Sequence, residues 1–191
     1  MKESIALFGA GGKMGVRLSR NLLKSNYVVR HVEPSEVGRK RLKDELGLDC
    51  VDTDQALDNA DVVILAIPDT IIGKVAHQIG PKLRPGTMVM LLDAAAPFAG
   101  HLPDRKDLTY FIAHPCHPTI YNDETEQAAR RDYFGGGAAR QSITSSLMQG
   151  PDSAWDLGEA VAKTIYQPIK ENLSVLLMAL LPSLSFCRCL G

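Results

Sequence analysis

Two hydrophobic rhythms alternate along the chain. Runs of five to nine residues, all but the last rich in apolar residues, occur at 4–8 (SIALF), 27–32 (YVVRHV), 61–67 (DVVILAI), 87–92 (TMVMLL), 109–113 (TYFIA) and 140–148 (RQSITSSLM). Between them, apolar residues recur at helical spacing: Val16, Leu18, Leu22 and Leu23, then a charged segment at 35–46, then 70–79, and last Trp155, Leu157, Val161 and Ile165 within 153–165. The first rhythm predicts strands, the most apolar of them covered on both faces, and the second predicts helices that cover them. Strand and helix in turn are the order of a doubly wound, mostly parallel sheet, so the pattern predicts an α/β fold. A short strand is expected at Asp49-Cys50-Val51, Pro81 and Pro85-Gly86 punctuate the entry into the strand at 87–92, and Gly150-Pro151 reads as a turn. Trp155 reads as core. The chain has no internal repeat and no low-complexity segment.

The first strand runs directly into Gly9-Ala10-Gly11-Gly12-Lys13-Met14-Gly15. A strand, a glycine-rich turn and a helix in that order meet three demands of a dinucleotide: a tight reversal, close backbone approach to the pyrophosphate, and free helix N–H groups facing the anion. Gly9, Gly12 and Gly15 follow a GxxGxxG spacing, and a strict GxGxxG would need glycine where Met14 stands, so the flanking strand and helix carry the assignment. The second strand ends in Glu33, 24 residues after Gly9. An acidic residue at about that distance grips the ribose hydroxyls and repels a 2′-phosphate, which favours NAD over NADP. Arg39, Lys40 and Arg41 follow and offer the opposite device, a phosphate clamp. The expected fold is therefore Rossmann-like. Ligands of such sheets lie outside the carboxyl ends of the strands, which places Ile67, Pro68 and Asp69 against the cofactor and Asp93 at the substrate side of the cleft.

Charge and cysteine content narrow the function class. Lys and Arg number 21 against 22 Asp and Glu in 191 residues, a net charge of −1, which gives no footprint for nucleic acid. Cys50, Cys116, Cys187 and Cys189 form neither a disulfide framework nor a paired zinc spacing, so reduced thiols are expected. The first strand starts by residue 4, which leaves no room for a signal or transit sequence and predicts a cytoplasmic protein. The apolar stretch at 173–187 is interrupted by Pro182 and is too short for a membrane span. An apolar tail of this kind is expected to pack against a second subunit.

The most distinctive chemistry follows the strand at 109–113, where His114-Pro115-Cys116-His117-Pro118 holds two imidazoles between prolines that stiffen the backbone. His114, at the strand end, is the candidate for taking a substrate hydroxyl proton or orienting the substrate; His117 is a second acid/base candidate and the candidate metal ligand. A stiffened turn whose histidines cap carbonyls accounts for the same residues. Asn122-Asp123-Glu124 and Glu126 form a cluster of carboxylates, and Arg130-Arg131 before Gly135-Gly136-Gly137 offer guanidinium and backbone N–H groups to an anionic substrate; Asn122 and Arg131 are the candidate substrate contacts. A solvated helix end and loop suits that pattern equally.

The glycine turn, the Ala66-Ile67-Pro68-Asp69 strand end and the His-Pro loop together resemble the β-hydroxyacid and 6-phosphogluconate dehydrogenase-like superfamily. The sequence GAGGKMG is also similar to dihydrodipicolinate reductases, whose His-His and Lys motif is missing here. His114-Pro-Cys-His117-Pro, Asn122-Asp-Glu, Arg131-Asp-Tyr-Phe-Gly-Gly and Leu147-Met-Gln-Gly-Pro151 look like the phosphogluconate-dehydrogenase-like group that includes D-apionate oxidoisomerases. The resemblance covers about residues 4–169. It implies NAD-linked oxidation of a small hydroxy acid or branched sugar acid, coupled to a skeletal rearrangement akin to that of ketol-acid reductoisomerases and helped by a divalent metal. It also implies a following helical domain with a dimer interface, so the expected division is an NAD-binding domain at 1–168 and an apolar segment at 169–191 that is a remnant or the start of that domain. Two other readings stand beside it: a plain 6-phosphogluconate-type or prephenate-type dehydrogenase, and a non-catalytic nucleotide-binding module.

Overall fold

The computed structural model describes residues 2–116, 125–132 and 138–174. His117, Asn122, Asp123, Glu124, the glycine triplet at 135–137 and the chain from 175 onward lie outside the described residues. In chain order the elements are β1 (Ser4–Phe8), α1 (Lys13–Leu22), β2 (Val28–Val32), α2 (Glu36–Leu46), α3 (Thr53–Leu57), β3 (Val62–Leu65), α4 (Asp69–Ile79), β4 (Met88–Leu91), α5 (Ala95–Phe98), β5 (Thr109–Pro115), α6 (Gln127–Arg130), β6 (Gln141–Gln149), α7 (Ala154–Ile165) and β7 (Ile169–Ser174). The strands form one sheet in the order β2-β1-β3-β4-β5-β6-β7. Every pairing is parallel except β5 with β6.

Side chains alternate across a strand, so each central strand feeds two cores. Ile5, Leu7, Val62, Ile64, Met88, Met90 and Phe111 face one side, where they meet Val16, Leu18 and Leu22 of α1, Leu42 of α2, and Val161 and Ile165 of α7. Ala6, Phe8, Val63, Leu65, Val89, Leu91 and Tyr110 face the other, against Ala56 and Leu57 of α3 and Ile72, Ala76 and Ile79 of α4. This two-sided burial is the reason β3 and β4 read as unbroken apolar runs. Trp155 packs on the first core, its ring centroid 5.4 Å from that of Phe111.

Helix ends follow their local chemistry. Ser35 caps α2 by accepting from the Gly38 N–H, and Gly47, at φ +70°, ends it in the left-handed conformation. Asp52 and Gln55 form a reciprocal capping box on α3. The strand expected at Asp49-Cys50-Val51 reduces to a single bridge between His31 and Cys50, because β2 is the edge strand and the segment turns at once into α3. β7 begins at Ile169, the first residue of the tail set apart by the sequence, and pairs parallel to β6.

Because β2 and β3 lie on opposite sides of β1, the winding reverses there. The ligand crevice of an open α/β sheet is expected at that reversal, outside the carboxyl ends of β1 and β3.

Candidate active site

The glycine turn sits in this crevice. Gly9 has φ +75°, and a Cβ there would lie 2.3 Å from the Ala66 carbonyl oxygen and 2.9 Å from Ile67 Cγ2. Glycine is therefore required by conformation and by space, and the turn is in backbone contact with the end of β3. The Gly9 and Ala10 N–H groups donate to the Val32 carbonyl at 2.9 and 3.2 Å, which ties the turn to the end of β2. Gly12 is the N-cap of α1 with no side-chain cap, and the first turn carries no acidic residue. Lys13 and Met14 open the helix, and a Cβ on Gly15 would lie 2.0 Å from the Gly9 carbonyl oxygen, so α1 starts pressed against the turn.

Glu33 faces this turn. Its Oε2 accepts from the Gly11 N–H at 3.0 Å and its Oε1 from the Ser35 N–H at 3.0 Å. Of the basic triplet, Arg41 donates to the Gly11 carbonyl at 2.9 Å and Arg39 to the Pro34 carbonyl at 3.3 Å. Arg41 thus braces the loop, where the sequence also offered it as part of an alternative phosphate clamp. Glycine turn, acidic strand end and uncapped helix N-terminus together fit a dinucleotide whose pyrophosphate meets α1.

At the neighbouring strand ends, Asp69 opens α4, Asp93 follows β4, and His114 lies near the end of β5. Nδ1 of His114 lies 3.1 Å from the Leu92 carbonyl oxygen and 3.4 Å from Asp93 Oδ2. A carbonyl only accepts, so Nδ1 carries the hydrogen, and in the neutral ring Nε2 is the acceptor. Asp93 Oδ1 accepts from the Ala95 N–H at 2.7 Å, which holds the carboxylate at the start of α5. Burial and the charge of Asp93 push the Asp69 carboxyl above the usual aspartate range, partly offset by His114. The three expected residues therefore do converge. Arg131, by contrast, is the exposed residue that ends α6. Its neighbour Asp132 accepts from the Ala138 and Ala139 N–H groups at 3.0 and 3.2 Å and acts electrostatically on Arg17 of α1.

Three participants were not singled out for these roles. The Leu92 carbonyl that sets the His114 tautomer carries no side-chain signal in sequence. Arg17 is only 5% exposed, with its guanidinium 5.6 Å from the centroid of Tyr166, and burial lowers its pKa. The third is Gly38, a buried glycine inside the charged helix α2; a glycine where alanine would favour the helix by about 1 kcal/mol was the available signal. Among the described residues no group of three or more His, Cys, Asp or Glu is placed to hold a metal. No helix there is long and apolar enough to cross a membrane.

The chain is similar to known proteins in sequence and in fold. Residues 4–97 match the family model described as NADP oxidoreductase coenzyme F420-dependent, and residues 122–189 match phosphogluconate dehydrogenase (decarboxylating) C-term. A crystal structure of a semialdehyde dehydrogenase NAD-binding protein from Cupriavidus necator, in complex with calcium and NAD, superposes with a TM-score of 0.91 at 75% identity, over 99% of this chain and 70% of that one. A D-apionate oxidoisomerase of Cupriavidus necator is 76% identical over 99% of this chain and 70% of its own length. A D-apionate oxidoisomerase of Rhizobium rhizogenes is 60% identical over 97% and 68%. With such identity across more than two thirds of each of these relatives, the chain belongs to the D-apionate oxidoisomerase family of enzymes.

Proposed function

We propose that this chain acts as an NAD-dependent oxidoisomerase on D-apionate, oxidising a carbinol of the sugar acid and rearranging its carbon skeleton. The observation that carries the reading is the meeting, at one end of the sheet, of a dinucleotide-shaped glycine turn with the Asp69, Asp93 and His114 cluster. NAD, when bound, supplies the hydride acceptor. Residues 9–15 receive its pyrophosphate, Glu33 receives the ribose hydroxyls, and Ile67, Pro68 and Asp69 border it at the end of β3. Nε2 of His114 takes the hydroxyl proton as the carbinol is oxidised, and the neighbouring carboxylate of Asp93 stabilises the resulting imidazolium. Asn122, and Arg131 from the exposed end of α6, are the candidates for meeting the substrate carboxylate. A divalent metal with His117 among its ligands, a homodimer completed through the apolar tail, and a cytoplasmic location belong to the same reading.

NADH absorbance with D-apionate, followed by product analysis, tests it. NADH with a rearranged skeleton is the expected result. NADH without rearrangement would mean a plain 6-phosphogluconate-type or prephenate-type dehydrogenase, and NAD binding without turnover would mean a nucleotide-binding module. Unchanged turnover after chelation would remove the metal, and a monomer by light scattering would remove the dimer.

A further inference from the structure

The contacts around α2 form a closed circuit with a glycine at its centre. Glu33 accepts from Gly11 and Ser35; the Ser35 hydroxyl in turn accepts from the Gly38 N–H at 3.3 Å; Arg41, one turn further on, donates to the Gly11 carbonyl. Gly38 closes the circuit by proximity. A Cβ at Gly38 would lie 2.6 Å from Glu33 Cδ, 2.7 Å from Cγ and 3.0 Å from Oε1, while a Cβ at Gly11 would lie 2.3 Å from the Gly38 carbonyl oxygen. Real side chains do not tolerate such distances, so the two glycines let α2 lie directly on the cofactor turn with the Glu33 side chain clamped between them.

We propose that Gly38 is the specificity-determining residue behind NAD preference: its missing side chain, with Arg41 and Ser35, holds the Glu33 carboxylate where it engages a 2′-hydroxyl and repels a 2′-phosphate. Glu33 discriminates, and Gly38 positions it. With any side chain at position 38, the carboxylate is driven off the Gly11 N–H. Its grip on the ribose is lost together with its repulsion of phosphate, while Arg39, held to the Pro34 carbonyl next to Glu33, stays close by. A residue that merely packed α2 onto the turn would behave differently, because loosening the turn weakens both dinucleotides alike.

The inference rests on the NAD reading above, and calorimetric titration of Gly38→Ala with NAD and with NADP separates the two. Loss of a charge-assisted hydrogen bond network is expected to weaken NAD about tenfold or more while NADP changes little or tightens, so the NADP-to-NAD ratio of Kd falls. Glu33→Gln is the reference for loss of the carboxylate, and adding it to Gly38→Ala is expected to change the ratio less than it does alone. Equal weakening of both dinucleotides, or an unchanged ratio, overturns the role of Gly38. Failure of the parent protein to bind NAD overturns the cofactor reading itself. A ratio measured within one variant survives a general loss of stability, and a thermal melt of Gly38→Ala reports that loss separately.

Discussion

His114 takes its chemistry from a carbonyl oxygen. With Nδ1 committed to Leu92, the neutral ring presents its other nitrogen as the base. His114→Ala is expected to lower turnover about 10²- to 10⁴-fold, the usual range for a lost general base, with NAD affinity retained; steady-state rates beside calorimetric titration check both halves. Asp69 gives a second test. An acid whose pKa is raised on folding binds more protons folded than unfolded, so stability falls as pH rises from about 4 through the folded pKa. Asp69→Asn is expected to remove that fall, read as a flatter midpoint against pH in denaturant titrations. The residue types of this cluster were legible in the sequence, because aspartates and a histidine at the ends of apolar strands lie at the cleft end of such a sheet. The tautomer was not, because a backbone carbonyl from another strand sets it.

At the scale of elements, the apolar strands and the long periodic helices were read within a residue or two: β1, α1, α2, β4 and α7 are all near their expected positions. Short helices were missed. α3 and α5 have five and four residues, too few to display a period, and they form because of capping at Asp52 and docking near α4. Gly15 shows how tightly α1 and the turn are fitted. Gly15→Ala places a methyl group 2.0 Å from the Gly9 carbonyl oxygen. Overpacking of this kind is expected to cost about 1–3 kcal/mol in denaturation and to weaken NAD binding with it. On α2, Ser35→Ala removes the cap and is expected to cost about 1 kcal/mol by the same measurement.

Across the whole molecule, the site is held from two sides. The glycine turn is held between α2 and the end of β3, while the cleft behind His114 is fixed from below by Tyr166, whose buried hydroxyl donates to the Ala113 carbonyl at 3.0 Å and whose ring lies under Arg17. Tyr166→Phe is expected to lower stability by about 1 kcal/mol or somewhat more, as thermal denaturation would read, because the hydrogen bond is fully buried. The sequence by itself determined the order of strands and helices, the glycine turn with its acidic partner, and the resemblance that family membership bears out; all of these are local patterns, set by which neighbouring residues are apolar, small or charged. Only the tertiary structure decided that β6 runs antiparallel to β5, that Ile169–Ser174 joins the sheet, that Arg41 braces Gly11, and that a glycine in α2 touches Glu33. Each of these depends on two segments far apart in the chain meeting in space, and strand direction and close approach leave no periodic mark on either segment alone.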